Sequence, residues 1–351
     1  MLRSRFLFCM LLCSVGALPL AAQSSAPALA ASHRPRRHFR FRYAVVISNP
    51  HPGAQLRIWI PAAHSDRSQR VRVISATGSL PLRLYRQPEY GNRVWYAQTR
   101  RAPAGKLRFN FVYDVLRYRD DRLIGRAAPA ARIQATALPL SVRPYLLPNR
   151  LVPVNGLPAR LARAATAGQT TPLAKAHALY AYVLHHMTYS KTGTGWGHGN
   201  ALYACTAHHG NCTDFHSLFM AMARSQGIPV RFYIGFPLPS HQDGGLIGGY
   251  HCWVNFYIHG LGWLPADISE AWLHPRNARF FFGNLDANRV RFTAGRDLVL
   301  RPRQQGPPLN YFVYPYVERN GRPDAQVSDR FHFHDLAAPR TASLARRKLS
   351  R

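Results

Sequence analysis

The chain contains a cysteine whose sequence context favours a reactive thiol. Cys212 follows Asn211, a good helix N-cap, and precedes apolar residues at helical spacing that continue to Gly227 and Pro229. This pattern predicts that Cys212 lies in the first turn of a buried amphipathic helix, with Asp214 as a helix-start charge. Free backbone N–H groups and the positive helix end favour the thiolate, which is the nucleophilic form of cysteine. The alternative is a buried, inert cysteine.

A histidine and an aspartate lie on the two arms of a predicted β-hairpin. The run 250–258 is rich in β-branched and aromatic residues, and the return strand begins at Trp263. A three-residue loop over 258–260 would place His251 directly opposite Asp267, with Cβ atoms roughly 5 Å apart. The carboxylate would then orient the imidazole, and the imidazole would take the thiol proton, as acyl transfer requires. The alternative is a structural pair that ties the hairpin together.

Three segments resemble, in this order along the chain, the motifs of the transglutaminase-like superfamily. They are Gly210-Asn211-Cys212-Thr213-Asp214, His251-Cys252-Trp253 and Gly262-Trp263-Leu264-Pro265-Ala266-Asp267. In addition, 227–231 resembles the segment that follows the nucleophile helix in bacterial members. The resemblance covers about residues 171–267. It implies a papain-like core, in which a nucleophile helix packs on an antiparallel sheet, and a thioester intermediate on Cys212.

The oxyanion of such a reaction needs hydrogen-bond donors. The backbone N–H of Cys212 is the first candidate, and the side chains of Trp196 and Tyr189 are candidates for the second. Trp196 lies in the Gly-rich loop 193–197. An upstream tryptophan has this role in animal members of the superfamily, at a different spacing, and a packed loop aromatic is the alternative for Trp196.

No cofactor and no metal are expected. The sequence lacks an acidic calcium-site pattern, and only 15 of its residues are acidic. A rival interpretation is a zinc site, because 205–212 combines thiols and imidazoles at metal-like spacing and His251-Cys252 could complete it. In structural zinc sites, however, the ligands usually form two pairs, and the two residues of each pair are separated by a few residues along the chain. Zinc is therefore the alternative and not the prediction.

The first residues have the pattern of a secretory signal. Arg3 and Arg5 precede an apolar run over 6–20, and small residues follow. We therefore predict a cleaved signal peptide over 1–30 and a periplasmic or secreted protein without a transmembrane anchor. The alternative is a membrane anchor, for which the apolar run is short, since a span needs about 20 apolar residues.

Removal of the signal would leave three of the five cysteines. The remaining three are Cys205, Cys212 and Cys252. A disulfide framework needs a larger and even number of cysteines. The sequence does not decide whether Cys205 and Cys252 form a single disulfide.

The elements that must position these residues indicate an α+β fold. Short β-like runs separated by Pro, Gly, Asn and Ser predict a small antiparallel β domain over 39–143. A proline-rich connector over 144–170 leads to the catalytic domain over 171–335. Its first helix should begin after Thr171, with a 3.6-residue apolar period up to residue 187. A basic, disordered tail is expected over 336–351.

The chain is strongly basic. It has 46 Lys and Arg against 15 Asp and Glu, a formal net charge of +31. Such a field favours anionic partners, and anionic cell-envelope polymers fit an exported protein best. No nucleic-acid motif is present, so nucleic acid is not an expected partner. The alternative is the compositional bias of an arginine-favouring genome.

The resulting hypothesis is an exported thiol enzyme that performs acyl transfer on a protein or peptide substrate. Cys212 attacks a carboxamide or peptide carbonyl, His251 acts as base and then as acid, and Asp267 orients His251. The resemblance leaves three classes open, because the superfamily includes peptidases, amine-transferring cross-linkers and non-catalytic scaffolds. A cysteine-type peptidase or amidase is the first choice, because the sequence shows no amine site.

Overall fold

A computed structural model describes residues 35–124, 137–324 and 326–336. These residues belong to one compact unit. The predicted signal peptide lies outside the described residues, as does all of the predicted tail from residue 337. The domain boundaries predicted from the sequence stay a prediction.

The N-terminal part folds into antiparallel strands, as its alternation of β-like runs and turn residues indicates. The strands are β1 (Arg36–Ile47), β2 (Leu56–Ala62), β3 (Gln69–Gly78), β4 (Arg83–Arg86), β5 (Arg93–Thr99), β6 (Leu107–Tyr118) and β7 (Asp120–Asp121). In β6 every second residue from Leu107 to Val115 is buried, which gives the strand one core face.

The helices lie in the middle of the chain. They are α1 (Gly156–Ala165), α2 (Pro172–His186), α3 (Ala201–Ala207), α4 (Cys212–Ser225) and α5 (Ile268–Leu273). Short 3-10 turns cover Leu140–Leu146 and Pro275–Asn277. The first helix of the predicted catalytic domain begins where expected, because the hydroxyl of Thr171 accepts a hydrogen bond from the backbone N–H of Ala174.

The remaining strands follow and separate the helices. They are β8 (Thr188–Tyr189), β9 (His209–Gly210), β10 (Val230–Pro237), β11 (Gly244–Ile247), β12 (His251–Ile258), β13 (Gly262–Ala266), β14 (Asn284–Leu285), β15 (Arg289–Ala294), β16 (Tyr316–Arg319), β17 (Arg322–Asp324) and β18 (Val327–Asp335). Among the described residues no helix is both long enough and apolar enough to span a membrane.

A nucleophile-type helix packs on an antiparallel sheet, which confirms the predicted α+β class. The sheet has the strand order β13-β12-β10-β15. All residues of α4 from Cys212 to Arg224 are buried, and the ring of Phe219 contacts that of Phe256 on β12. A helix buried on all sides cannot be displaced without opening the core, so the position of its first residue is well defined.

Strands from both ends of the described chain share two five-stranded sheets. Their orders are β11-β18-β1-β6-β3 and β17-β16-β2-β5-β4. In the first sheet β18 pairs antiparallel with β1, with Phe39 opposite Asp335. In the second sheet β16 lies between β17 and β2. The last strands of the chain therefore complete the sheets that the first strands begin.

The register predicted for the hairpin is wrong. Ile258 pairs with Gly262, so the three-residue loop starts one residue later than expected. The physical reason is that Ile258 is fully buried and stays in β12, whereas Gly260 and Gly262 adopt the positive φ that the turn requires. Because β13 ends at Ala266, Asp267 is not the directly paired partner of the first residue of β12 and instead begins α5.

Candidate active site

Local hydrogen bonds hold Cys212 as the first residue of α4. The side chain of Asn211 accepts a hydrogen bond from the N–H of Thr213 at 2.9 Å, and the carboxylate of Asp214 accepts one from the N–H of Asn211 at 2.9 Å. This reciprocal arrangement is a capping box. It fixes the entry of the chain into the helix and so the direction of the Cys212 side chain.

Asp214 also ties the Gly-rich loop to the helix start. Its two carboxylate oxygens accept the backbone N–H groups of Gly197 at 2.7 Å and Gly199 at 2.9 Å. A Cβ at Gly210 would lie 2.3 Å from this carboxylate, so only glycine fits there. Asp214 is therefore more than the helix-start charge that the sequence indicates, because it links the loop to the turn that contains Cys212.

The carboxylate of Asp267 contacts the imidazole of His251. Nε2 of His251 lies 2.7 Å from Oδ2 of Asp267. Nη1 of Arg289 donates to the same oxygen at 2.5 Å. The other oxygen accepts the N–H of Glu270 and the hydroxyl of Ser269, both at 3.1 Å. Asp267 is fully buried with both oxygens in hydrogen bonds, so it holds the imidazole from a rigid position.

The thiol, the imidazole and the carboxylate perturb one another. Burial disfavours the Cys212 thiolate, but hydrogen bonds from the Cys252 thiol and from His251 lower the pKa of Cys212 from 9.0 to about 6. Burial would lower the pKa of His251, and the charge of Asp267 instead raises it well above 6.5. The pKa of Asp267 is lowered, against burial, by the charges of His251 and Arg289. These directions favour a thiolate beside an imidazolium at neutral pH.

Cys252 is a second thiol at this site. It is fully buried and free, like Cys205, so the disulfide left open by the sequence is not formed in this structure. Burial and the neighbouring Cys212 raise its pKa well above 9.0, which keeps its proton in place. The sequence suggests for Cys252 a disulfide or a zinc site. In the structure its Sγ lies 3.4 Å from Nδ1 of His216, and its thiol lowers the pKa of Cys212 by hydrogen bonding.

His216 is a residue that sequence reasoning missed. It is fully buried one turn after Cys212, with Nδ1 2.7 Å from the carbonyl oxygen of Cys212 and Nε2 3.1 Å from the N–H of Ile268. Nδ1 therefore donates and Nε2 accepts, which is the neutral tautomer. Burial lowers its pKa to about 4. The available signal was a histidine one helical turn after Cys212, next to the apolar Phe215 and Phe219.

The two side-chain candidates for the oxyanion site are placed differently. The parallel pairing of β8 with β9 puts Tyr189 opposite Gly210, just before the start of α4. Burial and the negative charge of Cys212 both raise the pKa of Tyr189, so the phenol keeps its proton and lies near the thiol. The indole N–H of Trp196, by contrast, donates to the carbonyl of Gly193 within its own loop at 3.1 Å.

A cleft of about 730 Å³ opens at His251. Its lining includes both apolar and acidic side chains: Leu246, Ile247, Glu270, Phe280, Phe281 and Asp286. The cleft is of the size that small ligands or short peptide segments occupy. Among the described residues no group of three or more His, Cys, Asp or Glu side chains is arranged to hold a metal ion.

Comparison with known proteins shows which proteins the region around this site resembles. Residues 159–268 match the family model of the transglutaminase-like superfamily core. An uncharacterized protein of Haemophilus influenzae is 26% identical over 319 residues, which cover 81% of this chain and 86% of the relative. The crystal structure of a Cytophaga hutchinsonii protein, provisionally described as a cysteine protease, is similar in fold. It has a TM-score of 0.58 and 16% identity, and the match covers 87% of this chain and 92% of that protein.

Proposed function

We propose that this chain, whose residues 159–268 form a transglutaminase-like core domain, is an exported cysteine hydrolase that cleaves a peptide or carboxamide bond. Cys212 is the proposed nucleophile, His251 the base and then the acid, and Asp267 the residue that orients His251. The observation that carries the proposal is a buried thiol at the start of α4 together with an imidazole that a buried carboxylate holds at 2.7 Å.

The proposed reaction has two stages. The Cys212 thiolate attacks the carbonyl carbon, and the tetrahedral oxyanion accepts hydrogen bonds from the Cys212 backbone N–H and from Tyr189. The imidazolium of His251 protonates the leaving amine as the C–N bond breaks, which leaves a thioester on Cys212. His251 then takes a proton from water, the hydroxide attacks the thioester, and the carboxylic acid leaves as the thiolate returns.

Selective alkylation of Cys212 would test the proposed ion pair. With a pKa of about 6, the thiol should react with iodoacetamide at close to its full rate at neutral pH. Cys205 is an internal control, because burial raises its pKa to about 11. Peptide mapping should find the label on Cys212 alone, and His251→Ala should move the reaction towards the pH range of an ordinary thiol. Equal labelling of both cysteines, or no effect of His251→Ala, would contradict the proposal.

The nature of the acceptor requires a separate experiment. A hydrolase should release carboxylic acid and amine from a peptide or glutamine substrate in water, and added primary amine should not enter the product. Incorporation of a labelled amine in preference to water would identify a cross-linking transferase instead. If neither reaction occurs while Cys212→Ser still binds the peptide, the chain is a non-catalytic binding protein. Cys212→Ser is the control in both assays.

The proposed location is the periplasm or the cell exterior, where the net charge of +31 would favour contact with anionic envelope polymers. Such contact should weaken as salt screens the charges. Binding of the purified protein to isolated envelopes, measured at increasing sodium chloride concentration, tests this point. Binding that salt does not reduce would refute the electrostatic explanation.

A further inference from the structure

A second cavity lies apart from the cleft at His251. It has a volume of about 370 Å³, and neither Cys212 nor His251 lines it. Residues of β6, β10, β12, β13 and β15 contribute to its walls, together with Tyr145. Aromatic rings form much of the surface: Tyr145, Tyr233, Trp253 and Trp263. A cavity of this size, with aromatic walls and a few polar groups, is typical of a site for a small molecule.

The side chains that line this cavity carry more positive than negative charges. They are four arginines and three carboxylates: Arg67, Arg117, Arg231, Arg291, Asp66, Glu89 and Asp120. Arg291 pairs with Asp66 at 2.8 Å, and Arg67 pairs with Asp120 at 3.1 Å. Glu89 is exposed and accepts a hydrogen bond from Gln87. Within the described residues, two guanidinium groups of this cavity, those of Arg117 and Arg231, are therefore left without a paired carboxylate.

Arg117 is the more deeply buried of these two cations. It is 2% exposed, and within the described residues its side-chain hydrogen bond is to Oε1 of Gln69 at 3.5 Å, while its buried Nε atom has no partner. Burial lowers its pKa to about 10; the charges of Asp66 and Asp120 oppose this shift, and those of Arg289 and Arg291 add to it. Because Asp66 and Asp120 already pair with Arg291 and Arg67, an anion placed beside Arg117 would offset the remaining cost of burying its charge.

Arg231 presents a second guanidinium to the cavity. Its central carbon lies 3.8 Å from the ring centroid of Trp263 and 4.4 Å from that of Tyr145. Its Nε, too, has no hydrogen-bond partner in the described part of the chain. Aromatic contacts occupy the face of a guanidinium and leave its N–H groups free, and these N–H groups match the geometry of a carboxylate or a phosphate.

We propose that this cavity binds a small molecule that carries a carboxylate or a phosphate group. Arg117 and Arg231 donate hydrogen bonds to its oxyanion, and the rest of the molecule packs on Tyr233 and Trp253. The site is separate from the proposed Cys212 chemistry, and its occupation does not depend on that proposal. Trp253 connects the two regions, because its ring lies 6.2 Å from that of His251.

Calorimetric titration tests the proposal with two probes, inorganic phosphate and succinate, at constant ionic strength. The wild-type chain should bind at least one probe at a single site, and the probe that binds identifies the oxyanion. Arg117→Met and Arg231→Met should each weaken binding by at least about ten-fold, which is the effect of losing one good charge-assisted hydrogen bond. Arg72→Met is the matched control, because that arginine is 74% exposed and lies outside the cavity.

A melting experiment separates a binding role of Arg117 from a structural role. Without a ligand, Arg117→Met should keep or raise the melting temperature, because it removes an uncompensated buried charge. With the probe present, the wild-type chain should gain a few degrees and the variant should not. If Arg117→Met does not fold, Arg231→Met carries the same comparison. Absence of saturable binding, equal binding to all variants, or an equal ligand-induced gain in melting temperature in the wild type and in the arginine variants would each overturn the proposal.

Discussion

At the scale of single residues, Asp267 is the centre of the charge arrangement. One of its oxygens contacts both His251 and Arg289, at 2.7 and 2.5 Å. Two cationic partners keep this carboxylate ionised in a fully buried position, and the ionised carboxylate stabilises the imidazolium form of His251. Arg289 therefore supports the imidazole indirectly, by holding the carboxylate.

Asp267→Asn should test the role of this carboxylate. The amide keeps the size of the side chain but loses its charge, so the pKa of His251 should fall and that of Cys212 should rise. In an established acyl-transfer assay we expect kcat/KM to drop by about 10²- to 10⁴-fold, the range for a lost orienting carboxylate. Asp114→Asn is the matched control, because Asp114 also contacts a histidine, His38 at 2.8 Å, and lies outside the cleft. Equal losses in both variants would argue against a specific role of Asp267.

The thiol of Cys252 leads to a second prediction. Because it donates a hydrogen bond to Cys212, Cys252→Ala should raise the pKa of Cys212 and shift the pH dependence of its alkylation upward. Cys252→Ser keeps a donor at this position and should keep the pH profile closer to that of the wild type. The alkylation rate at a series of pH values provides the measurement. Identical profiles in Cys252→Ala and wild type would show that the second thiol is only a packing residue.

Sequence patterns identify reactive residues within motifs. They do not identify the residues from distant parts of the chain that contact them. Cys212, His251 and Asp267 lie in motifs whose residue types and order can be recognised along the chain. Arg289 lies in no motif, and nothing in its neighbourhood distinguishes it from the many other arginines. Its contact with Asp267 arises only from strand pairing, because β15 is joined to β10 and β10 to the strand that begins with His251.

At the scale of elements, His216 connects two parts of the site. It donates to the carbonyl of Cys212 on α4 and accepts the N–H of Ile268 on α5. The N–H of Ile268 is one of the free N–H groups at the start of α5, and the carbonyl of Cys212 lies in the first turn of α4. The neutral imidazole thus fixes the distance between the helix of the thiol and the segment of the carboxylate.

His216→Gln should change the stability of the protein in acid. The folded-state pKa of about 4 is below the ordinary 6.5, so only the unfolded chain takes up this proton as the pH falls between these values. The wild type should lose about 3 kcal/mol of stability through His216 over that range, at about 1.4 kcal/mol per unit. Urea unfolding at each pH measures this effect. The free energy of unfolding of His216→Gln should fall less in acid than that of the wild type, whereas His186→Gln, changed at an exposed position, should behave like the wild type. An unchanged acid loss in His216→Gln would refute the assignment of a neutral histidine.

The elements themselves could be predicted to different degrees. The starts of α2 and α4 follow from Thr171, Asn211 and the apolar periods behind them, and both are observed where expected. The hairpin register was not predictable, because the sequence of the turn allows two positions of the loop. Burial of Ile258 in the core selects one of them, and burial is a tertiary property.

At the scale of the whole molecule, the first and last strands depend on each other. In addition to the pairing of β1 with β18, Arg37 contacts Asp335 at 2.9 Å, and Arg57 on β2 contacts Glu318 on β16 at 3.1 Å. The carboxylate of Glu318 is fully buried. The sequence indicates that both stretches form strands, but not that they pair, because such pairing joins residues almost 300 positions apart.

Removal of the last strands should therefore prevent folding. Deletion from Tyr316 onward removes an internal strand from each five-stranded sheet and exposes the buried faces of β1 and β2. We expect no cooperative urea transition and no selective alkylation of Cys212. Deletion from residue 337 onward keeps both strands and is the control, for which we expect an unchanged transition. A cooperative transition in the longer deletion would show that the remaining residues fold independently.

The pairing of β1 with β18 has a consequence for biosynthesis. The ribosome makes β1 almost 300 residues before β18, so a nascent chain carries one unpaired edge of β1 until β18 has been made. Exposed strand edges promote association with other chains, and contacts between distant residues form slowly. A chaperone that shields extended segments should therefore raise the yield of this protein more than that of one whose strands pair with their neighbours in sequence.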